Sequence, residues 1–202
     1  MDQTPVAAGT RFDELYRNVR ITAGARFNAW RRLSWHDQVT QWSVALASVA
    51  LIIVPLLQVV GATTGVSSQL LTALQIMLAM FVLVFSLLLS RNNHAVRADR
   101  MHRCGLELKR LLRQLESFRG RDVDDGTYAR LSQSYDDILN QHENHASSDY
   151  ERYLLYCREE YYPGRSWSLL LPWVKAQLTL AAEFAPYLAL LAVMIGAFVL
   201  MT

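Results

Sequence analysis

Three long runs of apolar residues dominate the hydrophobic pattern of the chain. They cover residues 43–60, 70–90 and 184–201, and none of them contains Asp, Glu, Lys or Arg. A bilayer core of about 30 Å needs about 20 apolar residues as a helix. Each run has roughly that length, and the remaining chain is too short to cover three such helices in a soluble core. The pattern predicts an all-α membrane protein.

Residues 1–33 predict an amphipathic cytosolic helix. Apolar side chains recur there every three or four positions after a capping pattern at Thr10-Arg-Phe-Asp13. A second capping pattern, Ser34-Trp-His-Asp37, predicts that a new helix begins at this point and becomes the first span, 43–60. Trp35 and Trp42 suit the membrane interface, where amphipathic rings settle. Residues 34–165 are then expected to form a two-span core.

The second span, 70–90, is expected to continue beyond the membrane as one helix to residue 118. Met101, Leu108 and Leu115 are spaced by seven, which is the period of an a/d helical seam. The glycines and aspartates of Gly120–Gly126 predict a turn. A return helix then completes a cytosolic helical hairpin over 91–142, and a further helix is expected over 148–161.

Residues 166–202 are expected to form an interfacial segment followed by the third span, 184–201. Lys175 and Glu183 precede this span, and a charge at the bilayer centre costs roughly 2.5–3.5 kcal/mol. Residues 167–182 are therefore placed along the inner interface, although a short fourth crossing stays open. Ala189, Ala192 and Gly196 put small residues on one face of the third span and allow close helix packing. Together with the seam Met101, Leu108 and Leu115, they are candidate contacts of a homo-oligomer.

The distribution of charge predicts the orientation in the membrane. Net charge is +2, yet six arginines lie between Arg11 and Arg32, thirteen basic residues lie between Arg91 and Arg165, and the loop 61–69 has none. The positive-inside rule places both basic regions in the cytosol and the loop outside. A multi-pass membrane protein with a cytosolic N-terminus and an external C-terminus follows. Acids are interspersed among these arginines, so direct nucleic-acid binding is not expected.

The residues His142-Glu-Asn-His145 raise the question of a metal site. The zinc-protease pattern needs histidines four apart on a helix, and here they are three apart. A further capping box, Ser148-Asp-Tyr-Glu151, predicts that a new helix begins nearby. Asn144, His145, Ser148 and Asp149 are therefore interpreted as a structural corner between two helices. No catalytic residue, metal or cofactor is predicted, and an enzyme is not expected.

A stripe of small and polar side chains runs along the second span. Its members follow helical steps of three and four, and they are Thr72, Gln75, Ala79, Val82, Ser86 and Ser90. In a membrane such a stripe faces either a water-filled path or a neighbouring helix. Thr72, Gln75, Ala79, Ser86 and Ser90 are the candidate pore-lining residues, with helix packing as the open alternative.

The layout resembles the SLATT domain, a two-span effector of bacterial conflict systems. The residues that carry the resemblance best are Arg26, Ala29 and Arg31-Arg-Leu33 before the first span, with Glu143-Asn-His145 and Asp149-Tyr150 after the hairpin. The likeness covers about residues 10–160, and the third span departs from a two-span layout.

This resemblance implies an anti-phage effector that assembles into a membrane pore and kills or arrests the infected cell. It also implies a separate sensor or nucleotide-signal-generating protein as a partner, beside the lipid bilayer and further copies of the chain. The alternative is a non-conducting membrane scaffold or receptor, whose hairpin recruits a cytosolic partner. The heptad seam fits both functions, and membrane potential distinguishes them.

Overall fold

In a computed structural model of the chain, the described residues are 8–61 and 67–157, with isolated positions between 174 and 192. They form five helices, namely α1 (Ala8–Val60), α2 (Ser68–Asn92), α3 (His94–Phe118), α4 (Asp125–Gln141) and α5 (Ser147–Tyr156). No strand occurs among them, which confirms the all-α prediction. The interfacial segment, the third span and helix residues beyond 157 lie outside the described residues, apart from those isolated positions.

The new helix expected at Ser34 is wrong, because α1 continues without interruption from Ala8 to Val60. A side-chain cap contributes only about 1 kcal/mol, whereas ending a helix leaves four carbonyl groups and four N–H groups to be satisfied elsewhere. No glycine or proline lies between Gly24 and Pro55 to interrupt the backbone hydrogen bonds. The capping pattern at Ser34 therefore lies inside a helix.

The single helix expected over residues 70–118 is also wrong, because Asn93 separates α2 from α3. Asn93 has a left-handed conformation, with φ 44° and ψ 40°, and it caps α2. Asparagine is the residue that most often replaces glycine at such a cap. Gly105 lies buried inside α3. A Cβ atom there would come within 3.1–3.2 Å of the Phe27 ring.

The chain divides into two compact units. The helical unit contains the described residues 8–33 and 96–157, and its core joins α1, α3 and α4. The buried members of that core are Phe12, Leu15, Val19, Ala23, Cys104, Leu108, Leu111, Leu115 and Leu131. A smaller cluster extends the contact between α1 and α3, with Ala29, Leu33, Ala98 and Met101. Burial also raises the pKa of the Cys104 thiol, so this thiol stays protonated.

The membrane unit contains the described residues 34–61 and 67–95. Here α1 and α2 pack through small and apolar side chains, including Ala47 and Leu78. Both helices are long and apolar enough to cross a membrane. Most of their large apolar side chains are exposed in the single chain, as Ile52 and Met80 illustrate. A soluble protein would bury such a surface, so its exposure fits contact with lipid.

Candidate functional site

A buried ion pair joins α5 to α1 in the helical unit. The Nε and Nη2 atoms of Arg32 donate hydrogen bonds of 3.0 Å each to the two carboxylate oxygens of Asp149. The Asp149 side chain is fully buried, and that of Arg32 is 15% exposed. The side-chain amide of Asn28 also donates to the Asp149 carbonyl, at 3.3 Å. A two-point contact of this kind fixes both the position and the orientation of the first turn of α5.

A second arginine of α1 holds the connection that precedes α5. Arg26 is 2% exposed, and its Nη1 atom donates to the backbone carbonyl of Glu143 and to the sulfur of Met101. Its Nε atom has no hydrogen-bond partner among the described residues. Arg26, Arg32, Glu143, His145 and Asp149 are hereafter called the arginine corner. The corner brings together both sequence motifs on which the family resemblance rests.

His145 lies inside the corner and is held neutral by its surroundings. Burial and then the nearby Arg26 guanidinium lower the pKa of His145, and Asp149 only partly opposes this shift. The Nδ1 atom is buried without a hydrogen-bond partner among the described residues, and the ring lies 6.3 Å from that of Tyr150. A proton on this ring would add a second buried positive charge beside Arg26.

The two histidines of the stretch His142-Glu-Asn-His145 face different partners. His142 Nε2 lies 3.0 Å from a carboxylate oxygen of Glu107 on α3, whereas His145 lies in the arginine corner. The Glu143 carboxylate accepts a hydrogen bond of 3.2 Å from Arg97. Asn144 is local to the connection, and its side-chain oxygen accepts from the His145 backbone N–H at 2.9 Å. The stretch therefore connects α4 to α5 and contacts α1 and α3 on the way.

The N-cap residue of α5 differs from the one that the sequence pattern predicted. Ala146, not Ser148, is the N-cap residue, and no side-chain cap is present there. The first turn of α5 is instead held by the buried Asp149, whose backbone N–H also donates to the Ala146 carbonyl at 3.0 Å. Asp149, which lies within the apparent capping box, is therefore used for contact with α1.

Glycine permits a close approach of α1 and α5 beside the corner. A Cβ atom added to Gly24 would collide with the ring of Tyr153. Next to this contact, Trp30 packs on His102 of α3 with ring centroids 4.6 Å apart. The absence of a side chain at Gly24 therefore permits an aromatic residue of α5 to lie against the α1 backbone.

The candidate pore stripe on α2 divides into an exposed set and a partly buried set of side chains. Leu71, Leu78 and Phe85 are the buried positions of this helix. Thr72, Ala79 and Ser86 each follow one of them and are exposed. Gln75 and Val82 are partly buried, and Val82 packs on the cluster of Ala47 and Leu78. Ser90 belongs to α2, but its side chain lies outside the described residues.

Gln75 has a partner that the sequence did not suggest. Its side-chain amide donates to the side-chain oxygen of Gln58 on α1, at 3.0 Å. The hydroxyl groups of Thr72 and Ser86 donate to carbonyls of their own helix, at 2.9 and 2.7 Å. Gln75 therefore links the two spans within one chain, and the exposed polar stripe consists of Thr72 and Ser86 with Ala79 between them.

The seam proposed for contact between copies is corrected by the structure. Met101, Leu108 and Leu115 are 2%, 0% and 0% exposed, because α1 and α4 of the same chain cover them. A second copy cannot reach these side chains in this conformation. Of the residues proposed on the third span, Ala192 is helical and exposed, whereas Ala189 and Gly196 lie outside the described residues.

The ion pair between Arg32 and Asp149 and the partners of Arg26 and Gln75 were all missed by sequence reasoning. The available signal was Arg26 itself, which lies three residues after Ala23 and three before Ala29, on the buried side of α1. A charge on an apolar helix face requires a partner, since an uncompensated buried charge is costly. The partner lies 117 residues away, and no pattern identifies it.

Comparison with known proteins identifies the family to which the chain belongs. No curated protein and no solved structure is significantly similar to the chain. A family model, described as SMODS and SLOG-associating 2TM effector domain family 5, matches residues 9–201. The match covers α1 to α5 and continues through the C-terminal apolar run. The chain therefore belongs to the SMODS and SLOG-associating two-transmembrane effector domain (SLATT) family, and it is a membrane effector of conflict systems.

Proposed function

We propose that copies of this chain assemble into a pore in the bacterial inner membrane, which depolarises the cell when a separate partner triggers it. The effector has no enzymatic role in this proposal, and loss of the membrane potential arrests or kills the infected cell. The association of the family with SMODS and SLOG proteins supports the existence of a separate partner. The two long apolar helices support the membrane location.

The exposed stripe of Thr72, Ala79 and Ser86 is the observation that carries the pore proposal. These three residues share one face of a helix on which most other exposed side chains are large and apolar, such as Met77, Met80 and Leu83. In a single chain the stripe faces outward, so an assembly of several chains can turn it towards a central path. The polar stripe then contacts water, and the large apolar side chains contact lipid.

The hydroxyl groups of the stripe suit a chain that exists in two environments. Each donates its hydrogen to a carbonyl of α2, so neither leaves an unsatisfied donor in lipid. The oxygen atoms keep lone pairs that accept hydrogen bonds from water. The same stripe is therefore tolerable before assembly and hydrated after it.

The arginine corner is proposed as the point at which a partner acts. The ion pair of Arg32 and Asp149 holds α5 on α1, and α1 also carries the first span. A partner that binds better when this contact is open shifts the population towards the open form. The charged surface of the helical unit is also the observation that favours the alternative, a non-conducting scaffold that recruits a cytosolic protein.

The test compares substitutions on adjacent faces of α2. Thr72→Leu with Ser86→Leu makes the stripe apolar, and apolar constrictions lose their water. The matched control is Ala73→Leu, which adds a similar side chain at an exposed position next to Thr72. Expression of each variant in cells that carry a potential-sensitive dye measures depolarisation, and membrane fractions measure accumulation.

We expect the double variant to accumulate and oligomerise normally but to leave the membrane potential intact, whereas Ala73→Leu depolarises like the parent chain. Unchanged depolarisation by the double variant contradicts a pore wall at this stripe. If the parent chain and its triggering partner together never alter the potential, the scaffold alternative holds instead.

A further inference from the structure

The outer side of α3 is more basic than its sequence suggests. The helix contains six basic and three acidic residues. Two of these acids have partners on other elements, since Glu107 contacts His142, the C-cap residue of α4, and Glu116 accepts a hydrogen bond of 3.2 Å from Tyr16 of α1. Only Asp99 remains for the outer side, where it pairs with Arg103 at 2.8 Å.

The basic face of α3 is defined here as Arg103, Arg110 and Arg113. All three are exposed, and they lie opposite the buried positions Leu108 and Leu115 of the same helix. Arg110 and Arg113 form no ion pair with any residue that the structure describes. The pair of Arg103 with Asp99 is solvent-exposed on both sides and therefore weak.

The outer side of α4 has the opposite charge. The helix contains three aspartates and one arginine. The acidic face is defined here as Asp125, Asp136 and Asp137, which are all exposed. Asp125 and Asp136 are eleven positions apart, or slightly more than three turns, so they lie on the same side of α4. None of the three forms an ion pair among the described residues.

The two faces also match in length. At about 1.5 Å per residue, Arg103 and Arg113 are separated by about 15 Å along α3, and Asp125 and Asp136 by about 17 Å along α4. Complementary charge of this kind directs association and fixes the register of two surfaces. An unrelated acidic protein would leave the acidic face of α4 unexplained, whereas a second copy of this chain uses both faces.

We propose that the basic face of α3 in one copy docks on the acidic face of α4 in the next copy. Each chain then offers two different surfaces, so the contact is head-to-tail and repeats until a ring closes. Copies anchored in one membrane share a single orientation, which favours closure around an axis normal to the membrane. The inference rests on the proposed pore, and it assigns the contact that assembles it.

Charge reversal tests the contact in the full-length chain. Arg110→Glu with Arg113→Glu makes the basic face acidic, and Asp125→Arg with Asp136→Arg makes the acidic face basic. The fourfold variant carries both reversals and restores opposite charges with exchanged sign. Arg17→Glu with Arg121→Glu is the matched control, because it changes the net charge as much as the first variant, and both residues are exposed and lie outside α3 and α4.

Self-association is measured by crosslinking in membranes and by light scattering of the detergent-purified chain over a range of concentrations. We expect each double reversal to weaken self-association roughly tenfold or more, because it places like charges against each other. The fourfold variant should recover most of the loss, and the control should match the parent chain. Salt near 1 M should weaken the parent assembly, since the screening length falls to about 3 Å.

The outcomes separate this inference from the pore proposal. Normal assembly of both double reversals overturns the docking contact, and depolarisation by those same variants leaves the pore proposal intact. Failure of the fourfold variant to recover also contradicts a contact between these two faces, as does a parent chain that stays monomeric. A parent chain that assembles through these faces without depolarising cells retains the contact and refutes the pore.

Discussion

Replacing Asp149 with alanine should strongly destabilise the helical unit. The Asp149 side chain is fully buried and makes two hydrogen bonds of 3.0 Å to Arg32. Its removal takes away the buried carboxylate that accepts two hydrogen bonds from the Arg32 guanidinium, which is only 15% exposed. Breaking a buried pair in this way costs roughly 3–5 kcal/mol. For a chain of this length, that loss corresponds to a fall in Tm of roughly 6–20 °C.

The assay is thermal unfolding of the purified protein in detergent, followed by circular dichroism at a fixed detergent concentration. Asp99→Ala is the matched control, because Asp99 pairs with Arg103 in the same unit with both side chains more than half exposed. An exposed pair contributes roughly 0–1 kcal/mol. The Tm of the control should therefore stay close to that of the parent chain.

A double-mutant cycle isolates the pair itself. Arg32→Leu and Asp149→Leu should each be strongly destabilising, because each breaks a buried pair that is joined by two hydrogen bonds. Their combination should be more stable than the sum of the two losses predicts, since the same pair can be lost only once. Equal losses for Asp149→Ala and Asp99→Ala, or strictly additive losses in the cycle, would refute the reasoning.

Two of the remaining predictions concern the helical unit, and the last concerns the span predicted from the sequence. Gly24→Ala should lower Tm because its Cβ collides with the Tyr153 ring, and Tyr153→Ala in the same chain should remove that penalty; a tolerated Gly24→Ala contradicts the close approach. Because the folded pKa of His145 lies below its ordinary value of 6.5, the unfolded chain takes up a proton first as pH falls. The contribution of His145 to stability should therefore be present above about pH 6.5 and decline below it. Tm measured between pH 5 and 8 should depend less on pH in His145→Asn than in the parent chain. The third span predicted at 184–201 places the C-terminus outside, so a phosphatase fusion at residue 202 should be active and a cytosolic fluorescent fusion should not be; the reverse result indicates an even number of spans.

The sequence by itself determined the membrane class and the helical content. Residues 43–60 and 70–90 can hardly form anything else, because an uncharged apolar run of that length needs lipid around it and must satisfy its backbone hydrogen bonds internally. The amphipathic periods before and after these spans likewise required only local spacing. Such patterns depend on residues within a few turns of each other, so they can be recognised in the sequence without knowledge of the tertiary structure.

Helix boundaries were predicted less well, because they depend on small free-energy differences. The capping pattern at Ser34 did not end α1, and the tolerance of Asn93 for a left-handed backbone was enough to divide the predicted long helix. Each of these choices involves about 1 kcal/mol, and packing of the flanking residues decides between them. Leu33, immediately before Ser34, is buried against α3 and favours continuation of α1.

Only the tertiary structure decided which side chains meet. Arg32 and Asp149 are 117 residues apart, and Gln58 and Gln75 lie on different helices, so no local period connects either pair. The seam of Met101, Leu108 and Leu115 has the same spacing whether it packs within one chain or between chains, and the fold turns it inward against α1 and α4. The same packing draws Glu107 and Glu116 towards α4 and α1, leaving α3 with a basic outer face. A sequence specifies charge and spacing along the chain, whereas the partner of each charge depends on how the helices are brought together.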